Sequence, residues 1–371
     1  MEHRIKKIFQ HSSEQISEVQ SLPDGLDAIV FMNGVEPILD MSFFYVTGMV
    51  DGMFELASAV VFPDGGSHVI AHSLEETTAK KGKFDLSVFR DPADIKSLLK
   101  TQLSGAKAVG VNADELTFSN FNTIKSCCGD GTKFIDIGPA VKAARVVKDE
   151  VELERLEKAG KIVSEVARDI TSNLEEGIRE NEVGAELSYK MQKLGANRPS
   201  FALVSFGELT AEPHYMGGAR KLGNDQFIIL DFGAVYYRYH SDITRTYYKG
   251  KPDEKALKLY EHSKRAQEVA LENIRAGANA KDVHQKVLDY VESTEYKGLF
   301  PHATGHTLGL SVHDGERLFT WDLELKENMV FTVEPGIYIP GYGGVRVEDD
   351  IVVTKDGYRM LTDAPRELLE V

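Results

Sequence analysis

The stretch FIILDFGAVYYRYHSDITRTYY, residues 227–248, constrains this chain more than any other. Its apolar, β-branched and aromatic residues are those that pack a sheet against a core. Yet Asp231 and Asp242 lie inside it. An isolated buried carboxylate is costly, and two in one place raise each other's pKa. In a tight hairpin turning at Val235–Arg238, the two aspartates would stand opposite each other on one face, about 5 Å apart at Cβ.

The same symmetry recurs in VFTVEPGIYIPGYGGVRVEDDIVV, where Glu334 and Glu348 are equidistant from Gly341 in a glycine-rich turn. The plain alternative is that each pair sits on the wet face of a sheet. Against it, the flanking residues are Ile, Leu, Phe and Val. Buried together, the four carboxylates carry a charge that only protonation or bound cations relieve. Two divalent ions neutralise such a set, and one leaves it overcharged.

Between the hairpins, PHATGHTLGLSVHD offers His302, His306 and His313. His302 and His306 have the spacing of HExxH, but the Glu is missing and Gly305 disfavours a helix, so a simple zincin site does not fit. One histidine joining four carboxylates gives an oxygen-dominated site suited to manganese, cobalt, iron or zinc. For any single histidine, an ordinary core or surface place is the competing reading. His214, in AEPHYMGG, precedes His313 by 99 residues, close to the offset between two similar halves of the chain.

Those halves emerge from a coarse reading of periodicity. The first part alternates short apolar runs (AIVFM, ELASAVVF, AVGV) with helical segments such as DPADIKSLLKTQL, a mixed α/β pattern without a cluster of catalytic residue types. Beyond residues 140–149, KDEVELERLEKAGKIVSEVARDI places apolar residues on one helix face, and Asp149 with Glu152 has the form of a capping box. A second helix is expected at 181–194, closed by Gly195. Helix, helix and strand pair then recur: a long helix from Asp253 to near Gly277, a shorter one over 281–293, and two strands. This is a hint of internal duplication.

Bulk properties narrow the function classes. A length of 371 residues implies two or three domains. The net charge of −15 argues against general affinity for nucleic acid or anionic lipid. No apolar run is long enough to span a bilayer. The N-terminal MEHRIKKIFQ lacks the apolar stretch of a secretory signal, so a cytoplasmic protein is expected. Cys127 and Cys128 are adjacent, a spacing that suits neither a disulfide nor a thiolate metal site. No G-x-S-x-G and no phosphate loop is present.

The ordered set of Asp231 and Asp242, HATGHTLGLSVHD, TVEPGIY and GVRVEDD resembles the pita-bread metallopeptidases, which include methionine aminopeptidase, aminopeptidase P and Xaa-Pro dipeptidase. RVVKDEVELERLEKAG looks like the opening of their catalytic domain, and FFYVTGMVDG is more loosely similar to the N-terminal domain of the proline-specific and creatinase-like branch. The resemblance implies an α/β (α+β) chain: a creatinase-like mixed α/β domain over 1–143, then a catalytic pita-bread domain with a pseudo-twofold repeat over 144–371. It implies a dinuclear centre held by Asp231, Asp242, His306, Glu334 and Glu348, with Asp242 and Glu348 bridging both metals. His214 and His313 would stabilise the tetrahedral intermediate, and Glu334 would carry protons. His302 would contact substrate or a ligand, while Arg346 and Thr244 would orient carboxylates.

The expected activity is hydrolysis of the bond preceding proline in short Xaa-Pro peptides, as dipeptidase or aminopeptidase, by a metal-activated hydroxide. Two divalent ions per chain are expected, manganese or cobalt first and zinc or iron next, in a homodimer with no nucleic-acid or membrane partner. A methionine aminopeptidase fits less well because of the extra N-terminal domain. Creatinase lacks the ligands, and the non-catalytic binding modules of this fold have degraded ligand sets. Arg238, Ala303 and Thr307 stand where glycine is common in the family, which bears on pocket shape and substrate preference.

Overall fold

The computed structural model describes residues 1–19, 25–315, 318–320 and 322–371. The chain divides into two compact units, Met1–Arg145 and Val146–Val371.

The first unit runs α1 (Glu2–Val19), β1 (Ala28–Met32), α2 (Met41–Thr47), β2 (Ser58–Val61), β3 (Ser67–His72), α3 (Glu76–Ala79) and β4 (Asp85–Phe89). It continues with α4 (Asp94–Gln102), β5 (Ala108–Val111), α5 (Phe118–Ser126), β6 (Lys133–Asp136) and α6 (Gly138–Val146). The strands form one mixed sheet in the order β4-β3-β2-β1-β5-β6. AIVFM and AVGV are buried at every position, as continuous apolar runs in the middle of a covered sheet should be. Asp40 caps α2 by accepting a hydrogen bond from Ser42 N at 2.8 Å, and Gly48 closes the helix at φ 72°.

The second unit opens with α7 (Glu150–Asp169). Both bonds of its capping box are made, Glu152 N to Asp149 Oδ1 at 3.0 Å and Asp149 N to Glu152 Oε2 at 2.9 Å. Next come α8 (Glu180–Lys193), β7 (Arg198–Phe206), β8 (Gln226–Tyr236), β9 (Tyr239–His240) and β10 (Ile243–Lys249). The order then recurs as α9 (Glu254–Leu271) and α10 (Ala280–Glu292), followed by β11 (Val330–Val333), β12 (Gly336–Ile339), β13 (Gly343–Arg346), β14 (Asp349–Thr354) and β15 (Gly357–Met360). Each half buries its own core. One gathers Val163, Val183, Leu187, Leu230 and Phe232; the other gathers Leu259, Val283, Val287, Phe331 and Ile351.

Two local expectations are corrected. The helix expected to reach Gly277 ends at Leu271, where Asn273 N and Ile274 N turn back to Ala270 O and Leu271 O in a tighter winding. In the first hairpin Asp231 lies opposite Thr244, not Asp242, because β8 and β9 are joined by two residues, Tyr237 and Arg238, at φ 44° and 71°. A two-residue turn with both φ positive moves the register by two. An even shift preserves the face, so Asp231 and Asp242 are diagonal neighbours on one side of the sheet. The second hairpin keeps the expected register: the pairs Val333↔Asp349 and Gly336↔Arg346 bracket Glu334 and Glu348, which therefore face each other.

Candidate metal centre

Strands β7, β8 and β13, with the residues flanking β10, β11 and β14, meet the loop carrying His302 to His313 around a cavity of about 380 Å³. Asp231, Asp242, His306, Glu334 and Glu348 all line it, as do His214, His302, His313 and Arg346. Four carboxylates and one imidazole from opposite halves of the unit thus share one space. Asp242, His306 and Glu348 each present an oxygen or nitrogen within 4.8 Å of the others. His306 Nε2 lies 3.5 Å from Asp242 Oδ2 and 3.6 Å from Glu334 Oε1. Phe201, Leu203, Pro213 and Val312 form the apolar part of the wall.

The loop residues are not helical, in keeping with the poor fit to HExxH. His306 is held instead by an exchange with β11: Thr332 N donates to His306 O at 2.9 Å, and His306 N donates to Thr332 Oγ1 at 3.1 Å. Gly305 is obligatory here, since a Cβ would lie 1.9 Å from Thr332 O. His313 stacks edge-on against His306 with ring centres 4.2 Å apart. His214 and His313 both line the cavity and are solvent-exposed.

Thr244 does not line the cavity but stands behind it, donating to Glu348 Oε2 at 2.5 Å and accepting from Arg346 Nε at 3.0 Å. Arg346 in turn donates to Asp231 Oδ2 at 2.5 Å and to the Tyr338 hydroxyl at 2.9 Å. The Tyr338 oxygen also lies 2.9 Å from His302 Nε2. One guanidinium therefore ties together the two hairpins and His302.

Three buried residues in this arrangement escaped the sequence reading. Tyr338 sits mid-strand among apolar neighbours and reads as core. Asp350 Oδ2 accepts a hydrogen bond from Asp242 N at 2.9 Å, a contact across 108 residues. Arg245 donates to Thr244 O and Glu348 O at 2.9 and 2.6 Å and pairs with Asp349 at 2.7 Å. An arginine inside the apolar run ITRTYY was the visible signal for that last one.

Electrostatics match the crowding. Burial first, then Glu348, Asp231 and Asp350, push the Asp242 carboxyl well above the ordinary range. Burial, then Glu334 and Asp231, do the same to Glu348 against the opposing pull of Arg346 and Thr244. Asp231 is also raised, mainly by burial, although Arg346 works the other way. Burial lowers the pKa of His302, and partial desolvation with the nearby His306 lowers that of His313. Asp231 Oδ1 and Asp242 Oδ1 are buried without a hydrogen-bond partner among the described residues. Orphaned carboxylate oxygens facing one cavity, beside an imidazole, fit hard or borderline divalent cations.

Comparison with known proteins points to a metallopeptidase family. Residues 154–355 match the model of metallopeptidase family M24, and residues 23–147 match that of the creatinase/prolidase N-terminal domain. The chain is 33% identical over 319 residues to a Xaa-Pro dipeptidase of Pyrococcus furiosus, covering 83% of this chain and 90% of that one. The fold is similar to a solved Xaa-Pro dipeptidase from Bacillus anthracis, with TM-score 0.89 and 30% identity over 100% of this chain and 99% of the other. It is also similar to an X-Pro aminopeptidase from Thermotoga maritima, with TM-score 0.87 and 31% identity over 93% and 98%. A creatinase-type N-terminal domain followed by a pita-bread domain is the architecture of this chain, and with it the chain belongs to metallopeptidase family M24.

Proposed function

We propose that this metallopeptidase hydrolyses the peptide bond preceding proline, as a Xaa-Pro dipeptidase or aminopeptidase, with two divalent cations held by Asp231, Asp242, His306, Glu334 and Glu348. The observation that carries the reading is the convergence of these five side chains, from both halves of the unit, on one cavity. The names of the similar proteins support the substrate class. In this reading Asp242 and Glu348 would be among the residues that hold the cations, and manganese or cobalt would be the native metal. Division of labour at 1–143 and 144–371 and assembly as a homodimer belong to the same reading and rest on the family resemblance; a cytoplasmic place is proposed with them.

Bound there, the cations would supply Lewis acidity, lowering the pKa of a water and polarising the scissile carbonyl. The chain does the rest. Glu334 takes the proton from the attacking water and passes it to the leaving nitrogen. Its carboxylate faces the cavity, with Oε1 3.3 Å from Thr332 Oγ1 and 3.6 Å from His306 Nε2. His214 and His313, both solvent-exposed in the cavity lining, donate to the oxyanion of the tetrahedral intermediate. Arg346 holds Asp231 and, through Thr244, Glu348 in register. The apolar wall of Phe201, Leu203, Pro213 and Val312 takes the proline ring, whose fixed φ and missing N–H make it a poor ligand for sites that grip an extended backbone.

Chelator-stripped protein should lose cleavage of a Xaa-Pro dipeptide and recover it with manganese or cobalt. Full turnover in the stripped protein would overturn the mechanism. Comparing the dipeptide with a Xaa-Pro-Yaa tripeptide separates the two activities.

A further inference from the structure

Phe201, in the apolar wall of the metal-bearing cavity, also lines a second cavity of about 360 Å³. With open space on two sides, its ring is not wedged in place as a close-packed core phenylalanine is. Its position depends instead on the backbone that carries it. That backbone is irregular: β7 pairs Pro199 with Ala234 and Phe201 with Gly233, so Ser200 is an extra residue without a counterpart on β8. A bulge of this kind bends the strand and re-aims the side chains beside it.

Here it turns Ser200 and Phe201 to one side. A Cβ built on Gly233 would lie 3.1 Å from both Ser200 Cβ and Phe201 Cε1. Both side chains therefore lie over the face of β8 that carries Asp231, two residues from Gly233. The same Cβ would come within 2.2 Å of Ser241 O, so only glycine admits this close approach.

The bulge is tied down from the neighbouring strand. Ser200 Oγ lies 2.7 Å from His240 Nδ1, a hydrogen bond between side chains 40 residues apart. His240 is only 9% exposed. It pairs with Val235, which puts its side chain on that same face, and its N–H donates to Gly309 O of the histidine loop at 2.8 Å. Neither Ser200 nor His240 lines the catalytic cavity. Their bond acts on it through Phe201, the next residue along β7.

We infer that His240 is a positioning residue for substrate selection: through Ser200 it fixes the bulge that aims Phe201, and so sets the width of the pocket for the proline ring. The inference rests on the proposed peptidase activity, which seats that ring against Phe201. Selectivity for ring size then depends on a hydrogen bond outside the cavity as well as on the apolar wall itself.

His240→Leu and Ser200→Ala each delete the bond, while His240→Asn keeps a polar group near the place of Nδ1. With metal-loaded enzyme, each deletion should raise KM for a Xaa-Pro dipeptide about fivefold and leave kcat within about twofold. Preference for proline over its six-membered homologue, pipecolic acid, should fall about tenfold in kcat/KM, since the wall no longer rejects one extra methylene. His240→Asn should recover most of both effects. The double variant should be no worse than either single one, because both remove the same interaction. General destabilisation would instead lower turnover of both rings alike. In hydrogen exchange on metal-free, full-length protein, both deletions should speed exchange of the Ser200, Phe201 and Ala202 amides. An equal effect on the two rings, or unchanged exchange at the bulge, overturns the inference. If the loaded, unmodified enzyme cleaves neither peptide, the proposed activity fails, and the exchange result alone decides whether His240 holds the bulge.

Discussion

Stripping cations from the second unit should make its stability fall as pH rises, the reverse of what paired surface carboxylates do. Asp242 and Glu348 are only 3% and 2% exposed, and burial with neighbouring carboxylates raises both pKa values well above the ordinary range. In the window between the ordinary carboxylate pKa and these raised values, the metal-free folded state holds protons that the unfolded chain has released. Linkage then fixes the sign: stability is greatest below the unfolded pKa, near pH 4, and is lost as pH rises toward the folded values. Each such group contributes a slope of about 1.4 kcal/mol per pH unit, so the two together give about 3 kcal/mol per unit where both are protonated.

Cation binding should cancel this slope by displacing those protons, with a release approaching two per chain inside the window. A cation at about a thousandfold excess over its Kd adds about 4 kcal/mol per site. At ~2–4 °C per kcal/mol for a domain of ~200 residues, Tm should rise by ~8–16 °C for the first site alone. Scanning calorimetry of stripped and manganese-loaded protein across mildly acid to neutral pH reads the slope. Titration calorimetry in two buffers of different ionisation enthalpy reads the proton count. A stripped Tm that stays flat or rises with pH, or binding without proton release, would refute the reasoning.

Three further outcomes are expected. Glu334→Gln should keep cation binding measurable by calorimetry but lower kcat by ~10²–10⁴-fold, and a near-normal kcat would remove Glu334 from proton transfer. Gly305→Ala forces a Cβ to within 1.9 Å of Thr332 O, which should cost about 1–3 kcal/mol in urea unfolding and weaken manganese binding through His306; a variant with unchanged stability would show that the loop yields freely. In the first unit, burial and then Glu115 push the Asp40 carboxyl up to about 8, and its Oδ2 has no partner among the described residues. The sign is again that of a raised acid, so its contribution is lost from near pH 4 up to about pH 8; Asp40→Asn should flatten this dependence in the first unit's urea transition and raise stability near pH 8, and a steeper dependence would contradict the assignment.

What could be read from the sequence followed period, and what could not depended on left-handed residues and distant partners. Glu334 and Glu348 were correctly opposed because GYGG supplies the glycines that its turn needs, Gly341 at φ 74° among them. The first hairpin was displaced by two because Tyr237 and Arg238 occupy left-handed conformations that neither residue advertises. A clue was available: Arg238 stands where the family commonly has glycine, the residue that such a φ favours. The error left the shared face of Asp231 and Asp242 intact, since strand periodicity is two and the slip was even. Helix length failed differently. Ile274 continues the apolar pattern of α9 and is buried, so periodicity carried the helix past Leu271, where the backbone had already tightened. Tyr338, Asp350 and Arg245 lay beyond any local pattern. Asp350 and Arg245 bond to segments roughly a hundred residues away, and Tyr338 links the His302 loop to Arg346. Such contacts exist only once the two halves meet. Duplicated halves can each build a core alone, but the cavity needs hairpins from both, so the residues that hold the halves together are the ones least visible in either.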